Sequence, residues 1–225
     1  MKIPEKEIET QTLSPLQKVE LALQKLREGK IIVLSDKSDR ENEGDAIMAA
    51  QFATPEAVNF MIRYCRGLVC APITQDTCKR LSLFPMVDAK LKNQDHRKTN
   101  FTISIDHKSN TTGISALDRA TTLKSLSNPN STTQDFIYPG HIFPLLAEKE
   151  GLKTREGHTE ATIELLQMAK LNPVGIICEI INDDGTMARY NELRQFCHNH
   201  DLLLLKMEEL LQYKELKELE ERKKI

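Results

Sequence analysis

Apolar positions along this 225-residue chain follow two alternating periods. Leu16, Val19, Leu23 and Leu26 share one helical face. Ahead of them, Ser14-Pro15-Leu16-Gln17 is a capping box with proline at the first helical position, so a helix is predicted from there to Gly29. Ile31 to Leu34 is a continuous apolar run and predicts a buried strand. A very polar loop follows from Ser35 to Asp45, and Ala46 to Phe52 is apolar again. Thr54-Pro55 opens a helix ending near Gly67; Leu68 to Ile73 reads as a strand and Thr74 to Leu81 as a short helix. Residues 85–100 are irregular and polar. Phe101 to Asp106 alternates as a half-buried strand should. A helix over 114–127, a loop from Ser127 to Tyr138 and a strand from Ile142 to Ala147 come next. Thr159 is read as the cap of an amphipathic helix reaching Leu171, stopped before Pro173. Gly175 to Ile181 is a buried strand. Asn191 is read as the cap of a helix through His200, with His198 and His200 on the surface. A short Leu-rich run and a Glu/Lys/Leu-rich helix from Glu208 complete the chain, the charges of that helix forming a solvated face. The alternation of strands and helices, without internal repeat or low-complexity linker, predicts one domain with a mixed sheet, α/β or α+β in class. Its parts are a flexible lead-in over 1–13, a main body over 14–205 and a charged helical tail over 206–225.

Composition narrows the setting. A formal net charge of −2 gives no basic excess for a nucleic-acid surface. No apolar run is long enough to span a membrane, and the polar N-terminus lacks a secretory core, so a cytoplasmic protein is expected. Five cysteines, none in a CxxC pair, read as reduced thiols and argue against a structural zinc site.

Four segments concentrate chemistry. Residues 36–45 carry five carboxylates and two cations directly after a buried strand. Ligands gather at such strand ends, and hard cations such as Mg²⁺ take oxygen ligands there. A solvated acidic turn is the plainer alternative. Without a cation the carboxylates repel one another, so Ser35 to Asp45 is expected to be a mobile lid. In Arg155-Glu156-Gly157-His158-Thr159 a glycine-containing loop enters a helix. Free N–H groups and the dipole favour an anion, Arg155 suits phosphate, and His158 can ligate a metal. An ordinary capped helix with a surface histidine remains open. In Pro139-Gly140-His141-Ile142, His141 taken by itself reads as structural. Glu179 lies in an apolar strand, Ile177-Cys178-Glu179-Ile180-Ile181. It is either a buried carboxyl suited to proton transfer or an outward-facing residue of a half-exposed strand.

Taken together these segments resemble a known family. DRENEGD at 39–45, TTGISALDRA at 111–120, PGHIFPL at 139–145, REGHTEA at 155–161 and CEIINDDGTMAR at 178–189 follow the order of the motifs of 3,4-dihydroxy-2-butanone 4-phosphate synthase, the riboflavin-pathway enzyme. The resemblance implies a single α+β domain with a mixed sheet flanked by helices, and a homodimer with active sites near the subunit interface. It implies conversion of ribulose 5-phosphate to 3,4-dihydroxy-2-butanone 4-phosphate plus formate, with Mg²⁺ (or Mn²⁺) and no organic cofactor. By motif, Glu41 and His158 match the metal ligands. Arg40, Glu41, Asp45, Thr112, Arg155, Glu156, Gly157, His158, Thr159 and Glu179 match the substrate contacts. His141 and Glu179 match positions needed for activity, and Glu43 and Asp45 supply further acid/base groups. No nucleic acid or membrane partner is implied.

The sequence also departs from the family pattern. Lys37-Ser38 interrupts the acids, Arg97-Lys98-Thr99 replaces a His-Gly-Thr or Tyr-Gly-Thr triplet, and Tyr138 and Leu146 stand where arginine is common. Some members carry a GTP cyclohydrolase II domain after this one; with the sequence ending at Ile225, that second activity is not expected. A metal-dependent sugar-phosphate isomerase or aldolase would use the same phosphate and metal groups, and a non-catalytic relative would keep the fold.

Overall fold

A computed structural model describes residues 13–87 and 93–222, the side chain of Glu221 excepted. Of the lead-in at 1–13, residues 1–12 lie outside them. The capping box at Ser14 forms as the sequence requires, with Gln17 N–H donating to the serine hydroxyl and the Gln17 side chain accepting from the Ser14 N–H. Helix α1 runs Pro15–Arg27. Strands β1 (Ile32–Ser35) and β2 (Gly44–Ala49) form an antiparallel hairpin around the acidic loop. Helix α2 (Pro55–Phe60) continues into a wider turn over Met61–Cys65, then come β3 (Cys70–Ile73) and α3 (Gln75–Arg80). They are followed by β4 (Ile105–His107), α4 (Ala116–Ser127) and β5 (Phe136–Leu146). The chain continues with α5 (His158–Met168), β6 (Gly175–Glu179), α6 (Tyr190–His200), β7 (Leu203–Lys206) and α7 (Met207–Arg222).

The strands form one seven-stranded mixed sheet in the order β4-β5-β3-β6-β2-β1-β7. Helices cover both faces. Val19, Leu23 and Leu26 of α1, Leu165 and Leu166 of α5 and Leu210 and Tyr213 of α7 pack on Ile32, Leu34, Ile47, Ile177 and Leu205. On the other face Val58, Leu123, Leu126, Leu193 and Cys197 pack on Val33, Met48, Ala71, Ile176 and Cys178. Central strands covered twice have no polar face, which is why β1, β2 and β6 read as continuous apolar runs. A fully buried leucine or isoleucine in such a layer contributes about 1.5–3 kcal/mol. The five cysteines are free and buried.

Several local readings change. The alternating segment from Phe101 forms regular strand only at Ile105–His107. Its earlier residues divide their bonds between two partners, Thr102 N–H donating to Pro144 O (3.0 Å) and Ile103 N–H to Phe84 O (2.9 Å). Strand β5 starts at Phe136, inside the expected loop. Helix α5 is capped by Gly157, so Thr159 falls in its first turn; Arg189, and not Asn191, caps α6. His200 is half-buried, with its ring edge-on to Phe60 and tilted against Tyr64 and Phe196. Nor is α7 only a solvated face: Leu210 and Tyr213 are buried and the Tyr213 hydroxyl meets Glu20.

Candidate active site

Three chain segments meet at one end of the sheet. The β1–β2 hairpin supplies Asp36, Glu41, Glu43 and Asp45, the start of α5 supplies His158, and the last residue of β6 is Glu179. The β2–β6 register sets Asp45 directly opposite Glu179. Side chains opposed across antiparallel strands sit roughly 5 Å apart, and like charges in that position repel. Gly67 permits a further approach: a Cβ there would lie 2.4–2.6 Å from Glu179 atoms. The Glu179 carboxylate accepts the Leu68 N–H at 2.8 Å.

The acidic loop is not held apart by its charges. Asp36 accepts from Lys37 N–H (2.8 Å), Arg40 Nη1 (2.8 Å) and Glu41 N–H (3.1 Å), and so folds residues 36–41 around itself. Arg40 also pairs with Glu41 at 2.8 Å, Lys37 with Glu156 at 2.6 Å, and Arg97 reaches the Arg40 carbonyl. Arg189 donates to the carbonyls of Glu41 (2.7 Å) and Asn42 (2.8 Å) from the neighbouring α6 cap. The repulsion expected of an empty lid is therefore offset by four cations, two from the loop itself and one each from Arg97 and Arg189.

Inside this cage the balance is different. His158 Nδ1 lies 3.9 Å from Glu41 Oε2 and 3.7 Å from Asp45 Oδ1, beyond hydrogen-bond range. His158 Nε2 and Asp45 Oδ1 are buried without a partner among the described residues. Burial, together with Glu179, Glu41 and Glu43, pushes the Asp45 carboxyl well above its ordinary range. Burial and Glu41 raise Glu43, against the pull of Arg189. Burial lowers His158 despite the carboxylates around it, which keeps the ring neutral and able to ligate. Asp36, Glu41 and His158 offer ligand atoms within 4.8 Å of one another. Orphaned buried polar atoms beside a carboxylate cluster fit a hard divalent cation, for which Asp36, Glu41 and His158 offer the converging ligand atoms and which would lower the electrostatic cost of the nest.

The remaining candidates are placed as follows. Gly157 caps α5 without a side-chain hydrogen bond, and the Arg155 and Glu160 side chains pack close against it. Arg155 donates to Glu160 (2.6 Å), to Thr99 Oγ1 (2.9 Å) and to the Arg97 carbonyl (2.7 Å), so its guanidinium is engaged on three sides. Thr159 is buried behind the His158 turn. His141 does not join the nest. It stands on β5, separated from β6 by β3, and pairs with Asp106 at 2.7 Å. Thr112 is exposed in the turn before Gly113, on the His141 side. Asp36, Arg97, Asp106 and Arg189 also shape this region, and the sequence reading did not name them as site residues. Asp36 and Arg189 lay in plain view at the ends of motifs, whereas nothing near Asp106 signalled its partner.

Fold and nest define an α+β protein built around a divalent-cation site. The chain belongs to the 3,4-dihydroxy-2-butanone 4-phosphate synthase family, whose sequence profile matches residues 20–213. It is 50% identical over 197 residues to a riboflavin biosynthesis protein RibBA of Bacillus cereus, covering 88% of this chain and 49% of that protein. The chain thus spans about half the length of the curated relatives it matches. Its fold is similar to a crystal structure of 3,4-dihydroxy-2-butanone 4-phosphate synthase in complex with two magnesium ions (TM-score 0.84, 37% identity, 89% of this chain and 97% of that one). It is also similar to RibBX, a two-domain synthase from A. baumannii (TM-score 0.83, 41% identity, 87% of this chain and 57% of that one).

Proposed function

We propose that this chain converts ribulose 5-phosphate to 3,4-dihydroxy-2-butanone 4-phosphate and formate, a step of riboflavin biosynthesis, in the cytoplasm. The observation that carries the reading is the pair of orphaned buried atoms, Asp45 Oδ1 and His158 Nε2, set among carboxylates on this family's fold. Glu41 and His158 hold the metal, Mg²⁺ or Mn²⁺, which when bound supplies Lewis-acid polarisation of the substrate's oxygens. The uncapped N–H groups at the start of α5 receive the phosphate, with Arg155 at the turn below them. Arg40, Glu156 and Thr159 frame the sugar, and Thr112 contributes from the His141 side.

The reaction needs several proton transfers: enolisation, loss of water, a skeletal shift and release of one carbon as formate. Asp45 and Glu43, raised by burial and by their neighbours, bind protons more readily than free carboxylates and are suited to hold and return them. Glu179 faces Asp45 across the strand pair and His141 completes the acid/base set. Atoms balance without an external oxidant or reductant, so no organic cofactor is required. Formate release in the presence of ribulose 5-phosphate and Mg²⁺ tests the proposal, and a sugar-phosphate isomerase would release none. Folded, metal-loaded protein that yields no formate overturns it.

A homodimer is proposed with it. Ile114, Leu117 and Ile137 are 53%, 62% and 52% exposed around the His141 strand. Such apolar groups suit a second copy of this surface. A monomeric mass by light scattering at micromolar concentration would exclude the dimer.

A further inference from the structure

Strands β4 and β5 pair antiparallel with an irregularity between Ile105 and Asp106. There the Asp106 side chain turns along the partner strand. One carboxylate oxygen, Oδ1, accepts the backbone N–H of His141 at 2.9 Å; the other, Oδ2, lies 2.7 Å from His141 Nδ1. The carboxylate is buried, while the imidazole is 43% exposed. Gly113 packs against both. At its φ of +90° a Cβ would come 2.0 Å from Asp106 Oδ2 and 2.4 Å from His141 Nδ1. That turn is itself anchored, because Asp118 accepts from the Thr111 hydroxyl (2.9 Å) and from the Gly113 N–H (3.1 Å). Two motifs far apart in sequence, TTGISALD and PGHIFPL, are thereby joined around one residue that belongs to neither.

We propose that Asp106, seated against Gly113, is a positioning residue that holds His141 in the tautomer with the proton on Nδ1. An ionised carboxylate can only accept hydrogen bonds, so Nδ1 must donate to it. The lone pair of the neutral ring is then confined to Nε2, on the exposed side, where it can take a proton from the substrate. Asp106 itself does not reach the substrate. This step rests on the reading that His141 serves the synthase reaction; the tautomer does not.

Asp106→Asn separates the possibilities. The amide oxygen keeps the His141 N–H, which leaves the NH₂ group facing Nδ1 and favours the opposite tautomer, as in other His–Asp pairs. We expect kcat to fall roughly a hundredfold or more, the usual contribution of an acid/base group, with KM changed by less than about threefold. Long-range ¹H–¹⁵N spectra of histidine-labelled protein, at a pH where the ring is neutral, should show Nδ1–H for His141 in the wild type and Nε2–H in the variant. A wild-type spectrum with a bare Nδ1 overturns the proposal, and so does a variant that loses activity with its tautomer unchanged. If the variant does not fold, the wild-type spectrum decides by itself. Absence of formate from the wild type refutes the functional reading and leaves the tautomer question to the spectrum.

Discussion

Two charge clusters adjoin α5, one along its length and one at its N-terminus, and they are built on opposite rules. Along its outer side, with α1, α3 and α7, runs a cleft of about 1220 Å³ lined by Glu20, Arg27, Lys153, Glu164, Lys214 and Glu218, among others. Its charges answer one another within the protein. Lys214 pairs with Glu164, whose second oxygen accepts the Leu152 N–H at 2.7 Å, and Lys153 pairs with Glu218 at 3.2 Å. Glu160, on the wall between the two clusters, is held by Arg155 at 2.6 Å. At the N-terminal end of the same helix, the nest of Glu41, Glu43, Asp45, Glu179 and His158 leaves two buried atoms unpartnered and two carboxyls raised. The ion pairs of Lys214 with Glu164 and Lys153 with Glu218 are thus closed within the protein, whereas the nest keeps two buried atoms without a partner among the described residues. A local deficit of positive charge is what distinguishes the nest as a place for a cation from solution.

The sharpest break in that contrast comes from the proposed ligands. Glu41→Gln and His158→Ala should each lower metal-dependent formate release by at least about a hundredfold, with circular dichroism unchanged, because the cation loses a direct ligand. Wild-type turnover at limiting Mg²⁺ in either variant would remove that residue from the site.

Next in size is the metal-free protein. The Asp45 carboxyl is raised above its ordinary value of 3.8 in the folded state. Between those two values the folded form binds more protons than the unfolded one, so stability falls as pH rises through that window. Asp45→Asn removes this loss. We expect its metal-free melting temperature at pH 8 to exceed that of the wild type by about 2–4 °C, the shift that roughly 1 kcal/mol produces at this chain length. The gap should narrow when Mg²⁺ is added, since the metal stabilises only the carboxylate form. A lower melting point for the variant at both pH 5 and pH 8 would show that Asp45 is stabilising as it stands.

The smallest effect belongs to the cleft. Lys214→Ala exposes no unsatisfied nest, and Glu164 keeps its bond from Leu152. A loss of about 1 kcal/mol or less in urea unfolding is expected, with kcat and KM unchanged. A tenfold fall in kcat would mean that the two clusters communicate through α5.

Much of this was legible in the chain. The capping box at Ser14, the apolar runs of β1 and β6 and the acidic loop after β1 are all local patterns, read from neighbours within one or two turns. Local reading also erred locally. Thr159 and Asn191 are good caps by residue type, but the backbone gave those positions to Gly157 and Arg189. Arg189 is useful there because it brings its guanidinium to the carbonyls of residues 41 and 42, a contact between segments far apart in the chain.

The sequence by itself determined which chemical groups exist, the elements that carry them and the five motifs that define the family. Only the tertiary structure decided how those groups meet: Asp45 beside Glu179, Arg155 tied to Glu160, His141 set apart on β5 with Asp106 behind it. The reason is physical. Helical and strand periodicity depend on neighbours a few positions away, whereas desolvation and Coulomb interaction depend on distance in space. A one-residue slip of β2 against β6 would leave the sequence intact and turn Asp45 to the other face of the sheet.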